Sequence, residues 1–400
     1  MLHGIIYCRN MKILGIETSC DDTGIAILEI RNSKFEIRSN IVSSQTIHQN
    51  YGGVFPMMAK REHQRNLLPV LENALQESKL LIQKAKIKIK NDNSKFKILE
   101  KIFEKEGELF EKTVEFLETH EKPDIDYIAV THGPGLEPCL WVGVNFAKAL
   151  SYAWDIPIIP ANHIEAHILV NFIDLNSKFK NQNEKSQFKI QNLLPAIALV
   201  VSGGHTQLIL MKGIGEYEII GETRDDAAGE CFDKAARILE LGYPGGPIIS
   251  SIAAKQKTSS FELPRPMMNS QDYDFSFSGL KTAVLYKVRD EKMTDEFKNE
   301  MCVAVQDAIV GVLIKKTLQS AKDFGAKTII LGGGVSANAE LRKQFSEKLE
   351  AGSLELELLV PPKELSTDNG LMIAVAGYFN RAKKIAWQKL SVNANLRIGR

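Results

Sequence analysis

His163 and His167 stand four residues apart in the run Pro160-Ala161-Asn162-His163-Ile164-Glu165-Ala166-His167. On a helix, residues at that spacing lie one above the other on the same face, so the two imidazoles can share one metal ion. Asn162, directly before them, is a residue type that caps a helix N-terminus. A metal held this way needs a third ligand. Asp368, in the polar turn Ser366-Thr367-Asp368-Asn369-Gly370 ahead of an apolar helix over 371–381, offers a carboxylate. Two histidines and one carboxylate leave coordination positions open, and the set suits Fe(II) or Zn(II). Ordinary helix histidines produce the same short pattern, and an Asp at a helix start is also an ordinary cap, so the rest of the chain must decide. Glu165 does not complete a zinc-protease motif. There the glutamate directly follows the first histidine, whereas Glu165 is two positions on, about 200° around the helix and away from the metal face.

Three glycine-rich turns carry a second chemistry. Val200-Val201-Ser202-Gly203-Gly204-His205-Thr206 places two glycines at a strand end. Glycine lets backbone N–H groups approach an anion with no side chain in the way. Gly332-Gly333-Gly334-Val335-Ser336-Ala337-Asn338 precedes a helix, whose N–H groups can face a phosphate or ribose. Tyr243-Pro244-Gly245-Gly246-Pro247 is a further rigid turn near Asp233. Together they point to nucleotide binding. No GxxxxGK[ST] occurs and no Rossmann fingerprint follows the first strand, so neither standard phosphate loop is used. His205 either serves the site or orders the glycine hairpin.

The elements that must hold these residues fall into two similar halves. A hairpin of strands over 13–19 and 24–30 has an acidic tip. A second hairpin over 196–202 and 207–211 has a glycine tip. Each is followed by a helix, a strand, a Gly-rich loop and another helix. In the first half these are 63–80, 127–131, Gly133-Pro134-Gly135 and 142–154. In the second they are 301–324, 328–331, Gly332-Gly333-Gly334 and a helix beginning near Asn338. The repeated order implies an internal duplication of α/β lobes with a ligand cleft between them. The division expected is lobe I over 11–160, completed by 366–400, and lobe II over 161–365. Met11 opens the first strong strand, so residues 1–10 are read as an upstream extension. Two stretches, 82–122 and 176–191, interrupt the pattern. The first contains Lys86-Ile87-Lys88-Ile89-Lys90, and Asn93-Ser94-Lys95-Phe96-Lys97 recurs as Asn176-Ser177-Lys178-Phe179-Lys180. They are either basic nucleic-acid contacts or inserted low-complexity loops, and the lack of aromatic interleaving favours the loops.

Composition narrows the class. A chain of 400 residues is long enough for two lobes, and a net charge of +1 gives no global field for nucleic acid. The five cysteines are scattered with no CxxC pair, which fits a reducing cytoplasm. No apolar run approaches the roughly 18 residues of a membrane span.

These residues resemble the tRNA adenosine threonylcarbamoyltransferase family (TsaD/Gcp/YgjD, formerly called O-sialoglycoprotein endopeptidases). The matching runs begin with Gly15-Ile16-Glu17-Thr18-Ser19-Cys20-Asp21-Asp22-Thr23, Tyr51-Gly52-Gly53-Val54, Gly133-Pro134-Gly135-Leu136 and the histidine pair. They continue through Val201-Ser202-Gly203-Gly204-His205-Thr206, Asp225-Asp226-Ala227-Ala228-Gly229-Glu230, Phe232-Asp233-Lys234 and Tyr243-Pro244-Gly245-Gly246-Pro247. Phe275-Ser276-Phe277-Ser278-Gly279-Leu280-Lys281-Thr282, the triple-glycine run and Thr367-Asp368-Asn369-Gly370 complete the series, in family order over nearly the whole chain. The chain departs from the pattern at residues 1–10, at both insertions, at Glu137-Pro138-Cys139-Leu140, and at Asp22, where many bacterial members carry glutamate.

The resemblance implies a two-lobed, duplicated actin/Hsp70/sugar-kinase-like (ASKHA) fold with an interlobe nucleotide cleft. It implies that His163, His167 and Asp368 bind one divalent metal, usually iron. It implies that Val200, Val201, Ser202, Gly203, Gly204, Asp233, Gly246 and Asn338 hold an adenylate. The implied reaction moves a threonylcarbamoyl group from threonylcarbamoyl-adenylate to the exocyclic amine of the adenosine 3′ of the anticodon in tRNAs reading codons that begin with A. AMP leaves. Asp21 is a candidate base, with substrate phosphate or water as alternatives. The implied partners are tRNA, a paralogous dimerisation subunit and a small P-loop ATPase. The competing reading is a kinase or ATPase of the same superfamily, which has no need of a two-histidine metal set.

Overall fold

The computed structural model describes residues 10–32, 34–85, 89, 93–173, 190–352 and 355–399. The expected extension 1–10 (apart from Asn10), the lysine cluster 86–90 (apart from Ile89) and the second insertion 176–191 (apart from its last two residues) lie outside them. The chain divides into two compact units. The described residues of Met1–Gln45, Val54–Lys180 and Asp368–Arg397 form the first, and those of Thr46–Gly53, Asn181–Thr367 and Ile398–Arg400 the second.

In the first unit the strands are β1 Met11–Glu17, β2 Asp22–Arg31, β3 Lys34–Ser44, β4 Tyr127–Gly133 and β5 Ile158–Asn162. They form one sheet in the order β3-β2-β1-β4-β5. β1, β2 and β3 pair antiparallel, while β4 runs parallel to β1 and β5 parallel to β4. β1 and β2 are apolar runs buried on both faces, as strands covered by helices on each side must be. The helices are α1 Pro56–Glu77, α2 Asn93–Ile102, α3 Gly107–Thr119, α4 Glu137–Trp154 and α5 His163–Leu169. Leu14, Ile16, Ile25 and Ile27 share one core with Leu67 and Leu71 of α1 and Val142 and Phe146 of α4.

The second unit repeats this plan. Its strands are β6 Ala196–Val201, β7 Thr206–Gly213, β8 Glu216–Glu222, β9 Thr328–Gly332 and β10 Glu357–Leu359, in the order β10-β9-β6-β7-β8. Again three strands meander antiparallel and two are added parallel. The helices are α6 Ala228–Ile238, α7 Gly245–Gln256, α8 Ser278–Asp290, α9 Asp295–Asp323 and α10 Ala339–Ala351. The two sheets are the α/β two-lobed duplication that the repeated element order predicts.

The chain then returns to the first unit as α11 Gly370–Phe379, which packs on β1, β2 and β4. Its seat requires missing side chains. A Cβ on Gly15 would run into the backbone of Gly370 and Ala374, and one on Gly370 into Ile25 and Ala26. The helix therefore lies directly on the sheet backbone, which fixes the residues that precede it.

Two expectations need correction, and a third concerns where the lobes divide. The stretch 82–122 is not a featureless loop. Residues 93–119 form α2 and α3, and Leu99, Leu109, Val114, Phe116 and Leu117 are buried in the first core. The expected boundary at 160/161 falls within the first unit described here. The histidine helix α5 follows directly from β5 and packs on α11, so it belongs to the first unit. Finally, the helix expected over 371–381 ends at Phe379, and Arg381 opens a separate 3-10 turn, Arg381–Lys383. Among the described residues no helix is long and apolar enough to cross a membrane.

Candidate active site

Parallel strands place their C-terminal ends on one edge of a sheet, where loops can gather functional groups. In the first unit that edge carries Glu17 at the end of β1, Gly133 at the end of β4 and Asn162 at the end of β5. Asn162 caps α5, its Oδ1 accepting the N–H groups of Ile164 at 2.9 Å and Glu165 at 3.1 Å. The cap starts the helix at His163, so both imidazoles emerge beside the sheet edge.

Asp368 comes from 201 residues further along the chain. Its Oδ1 lies 3.1 Å from His167 Nε2 and 3.7 Å from His163 Nε2. The two rings are edge-to-face with centroids 4.7 Å apart. Both histidines are buried and Asp368 is 20% exposed, so the cluster opens to solvent on the carboxylate side. Two ligands each about 2 Å from a tetrahedral metal stand roughly 3–3.5 Å apart, which this spacing matches. The ligand atoms of His163, His167 and Asp368 all fall within 4.8 Å of one another, so the three residues fit one metal ion.

Glu17, which the spacing of the histidines gives no reason to single out, is the orienter of this site. It is fully buried at the end of β1. Its Oε2 lies 3.2 Å from His163 Nδ1 and accepts the Thr131 hydroxyl at 2.6 Å, while its Oε1 accepts the Ser19 N–H. A carboxylate can only accept, so it holds the proton of His163 on Nδ1 and turns Nε2 toward Asp368. Burial works against an imidazolium at His163, yet the Asp368 and Glu17 carboxylates outweigh it and lift the pKa to about 9. The site thus attracts positive charge even before a cation enters. The sequence signals for Glu17 are an acid at the end of an otherwise apolar strand and its place in the run Gly15-Ile16-Glu17-Thr18-Ser19.

Glu165 faces elsewhere, as its helical angle requires. Its Oε2 accepts from Asn380 Nδ2 at 2.9 Å, tying α5 to the end of α11. The candidate base Asp21 sits in the β1–β2 turn and accepts a hydrogen bond from the Cys20 thiol. Its neighbour Asp22 opens β2 and is strongly perturbed. Burial, then the Asp368 charge, pushes its carboxyl up to about 7, against the Ser44 hydrogen bond. A carboxyl near neutrality is matched to proton transfer at working pH. Cys20, Cys139, Cys231 and Cys302 are free thiols, and burial pushes Cys139 up to about 12.

The second unit gathers the glycine turns at the corresponding edge. Val200 and Val201 end β6, and Ser202-Gly203-Gly204-His205 turns into β7, with the Ser202 N–H donating to the His205 carbonyl at 2.8 Å. The His205 N–H donates to Ser202 Oγ at 3.1 Å, so His205 helps close the turn through its backbone. Gly203 and Gly204 are exposed with open space above them. Gly229, at the start of α6, abuts the Ser202 carbonyl, and Gly333 (φ +81°) abuts Val201. The first and second glycine runs are thereby packed around the end of β6. Asp233 accepts the Gly245 N–H at 2.7 Å, which brings it beside Gly246. It also lines a hollow with Gln49, Gly52, Arg237, Glu240, Gly242 and Tyr243. Asn338 is heavily used within the fold. Its Oδ1 caps α10 by accepting from Leu341 N–H at 3.0 Å, and its Nδ2 donates to Gln306 at 3.0 Å. One amide hydrogen is left for a ligand.

Comparison with known proteins shows the family of the chain. A family model described as TsaD, tRNA N6-adenosine threonylcarbamoyltransferase, matches residues 36–87 and 107–375. The chain belongs to this family. Its match skips 88–106, which contains α2, and resumes at α3. The tRNA N6-adenosine threonylcarbamoyltransferase of Thermosipho africanus is 42% identical over 369 residues, spanning 92% of this chain and 94% of that one. The protein of the same name from Sulfurihydrogenibium is 40% identical over 370 residues, covering 92% and 90%. Among solved structures, HypF of T. kodakarensis superposes with a TM-score of 0.51 at 14% identity over 92% of this chain. This chain spans 47% of that HypF, and the likeness is one of fold alone. The chain is therefore a member of a transferase family.

Proposed function

We propose that the chain transfers the threonylcarbamoyl group of threonylcarbamoyl-adenylate to the exocyclic amine of the adenosine 3′ of the anticodon, in tRNAs reading codons that begin with A. The observation that carries the reading is the buried His163–His167–Asp368 cluster, held in register by Glu17, in a chain of this family. The amine nitrogen forms a bond to the carbamoyl carbon, the bond from that carbon to the phosphate oxygen breaks, AMP departs, and the nitrogen loses one proton. Asp21 in the β1–β2 turn, Asp22 at the start of β2, substrate phosphate or water accepts that proton, and the carboxyl of Asp22 near pH 7 suits the task. A bound metal, Fe(II) in preference to Zn(II), supplies Lewis acidity toward donor oxygens. His163, His167 and Asp368 hold it, and Glu17 keeps His163 in the ligating tautomer.

In the second unit the amides of Gly203 and Gly204, with Val200, Val201 and Ser202 behind them, hold the adenylate phosphate. Asp233 accepts from ribose hydroxyls beside Gly246, and Asn338 contributes its remaining amide hydrogen. The partners proposed are tRNA, a paralogous dimerisation subunit and a small P-loop ATPase, in the cytoplasm. The kinase or ATPase alternative has no use for a buried two-histidine set.

The test is transfer of labelled threonylcarbamoyl from its adenylate to an A-codon-reading tRNA, with and without the partner proteins. Label in tRNA, lost in His163→Ala, is the expected result. Steady ATP turnover with no label under any partner set would replace this reading with the kinase or ATPase one.

A further inference from the structure

The last twenty residues of the chain hold Arg381, Lys383, Lys384, Lys389, Arg397 and Arg400 and no acidic residue, in a chain of net charge +1. The other 380 residues are therefore net −5. Such a sign asymmetry between segments marks a surface for a polyanion. Arg381, Lys383, Lys384 and Lys389 are exposed, and among the described residues none of the four makes an ion pair with a carboxylate. Four unneutralised cations within nine residues repel one another unless something negative covers them.

The segment is rigid. The Ile385 N–H donates to the Ile158 carbonyl at 2.8 Å and the Ile385 carbonyl accepts the Ile158 N–H at 3.3 Å, fastening the segment along β5, the outer strand of the sheet. Leu390 is buried in the first core, and the Asn393 N–H donates to the His132 carbonyl at 2.8 Å. Aromatic rings interleave with the charges. Arg381 lies 4.5 Å over the Tyr378 ring, Lys384 lies 5.6 Å over Tyr127, and Trp387 packs edge-on against Tyr152 at 5.5 Å. Cations held on aromatic faces along a fixed strap suit a sugar–phosphate backbone better than a flexible tail does. α11 links this strap to Asp368. Ten helical residues span about 15 Å, so the charges stand a few nucleotides' reach from the metal ligands.

We infer that the strap 381–389 is the surface of the first unit that grips the sugar–phosphate backbone of the tRNA whose adenosine is modified. The inference rests on the tRNA reading proposed above. It concerns positioning and affinity rather than the chemical step.

The experiment uses the full chain, with its partner proteins where binding needs them, and a labelled A-codon-reading tRNA titrated at several salt concentrations. Replacing Lys383, Lys384 and Lys389 together by alanine should weaken tRNA binding tenfold or more at low salt. The slope of log affinity against log salt should fall by about two, for three lost phosphate contacts. The KM for tRNA should rise more than kcat falls, with metal content and melting temperature held at wild-type values. Replacing the same three by arginine should restore affinity. An alanine variant with wild-type affinity and slope overturns the inference while the wild type still modifies tRNA. So does a variant that binds tRNA normally but no longer retains a partner protein, because the strap would then be a protein-docking surface. A wild-type chain that neither binds nor modifies tRNA removes the proposed function together with this one.

Discussion

The tips of the two first hairpins occupy the same position in the same sheet order and do opposite electrostatic work. In the first unit the β1–β2 tip carries Glu17, Thr18 and Ser19, all buried. Leu136 donates its N–H to the Ser19 carbonyl at 2.7 Å, and a Cβ on Gly135 would strike Ser19. The tip is enclosed by the loop after β4, and its buried carboxylate orients the His163 ring. In the second unit the β6–β7 tip is Ser202-Gly203-Gly204-His205, with both glycines exposed and nothing within 4 Å of where their Cβ atoms would stand. That tip presents bare amides, which suit an anion. One topology thus presents a cluster that fits a cation in one unit and bare amides in the other, and the residues at the two tips make the difference.

His163→Ala should reduce bound metal in the purified protein to background while the fold persists. A variant that keeps one equivalent of metal by elemental analysis would remove the triad from consideration. Glu17→Gln tests whether the buried tip acts through the histidine. Metal affinity should drop about 10–100-fold, the usual cost of losing a partner that orients a ligand, and competition against a chelator measures it.

The glycine half is sharpened by a pair of substitutions in the second unit. Gly229→Ala pushes a methyl against the Ser202 carbonyl under the turn and should destabilise by about 1–3 kcal/mol in chemical denaturation. Gly203→Ala enters open space and should leave stability within about 0.5 kcal/mol while weakening adenylate binding. Equal effects of the two on stability would mean the exposed tip is held by packing after all.

The smallest effect concerns Asp225, in the turn that leads from β8 into α6. Burial alone would raise its carboxyl, but the Ser276 and Ser278 hydroxyls, each at 2.6 Å, and two backbone N–H groups hold it below its usual value. A depressed carboxyl contributes stability that is fully present above its unfolded pKa and is lost as pH falls toward the folded one. The melting temperature of the wild type should therefore fall more steeply between about pH 5 and pH 3 than that of Asp225→Asn. Parallel curves would show that the four hydrogen bonds carry no pH-dependent stability.

Local chemistry made much of this molecule readable from the chain. The apolar runs at β1, β2 and β6, the repeated hairpin–helix–strand order, the cap at Asn162 and the helical spacing of His163 and His167 depend only on residues within a few positions of one another. The angle of Glu165 away from the metal face followed from the same helical geometry. The 93–119 helices were hidden because a lysine-rich segment reads as solvated until the spacing of Leu99, Phe103 and Leu109 is weighed against a core to receive it. The distant pairings belong to the tertiary structure. Asp368 reaches His167 because glycines at 15 and 370 let α11 lie on the sheet backbone, and no local signal encodes a contact across 201 residues. Glu17 meets His163 because β1, β4 and β5 run parallel and end at one edge. The assignment of the histidine helix to the first unit was decided in the same way. Secondary structure follows from neighbours in sequence, whereas a ligand set follows from which strand ends the packing of the whole sheet brings together.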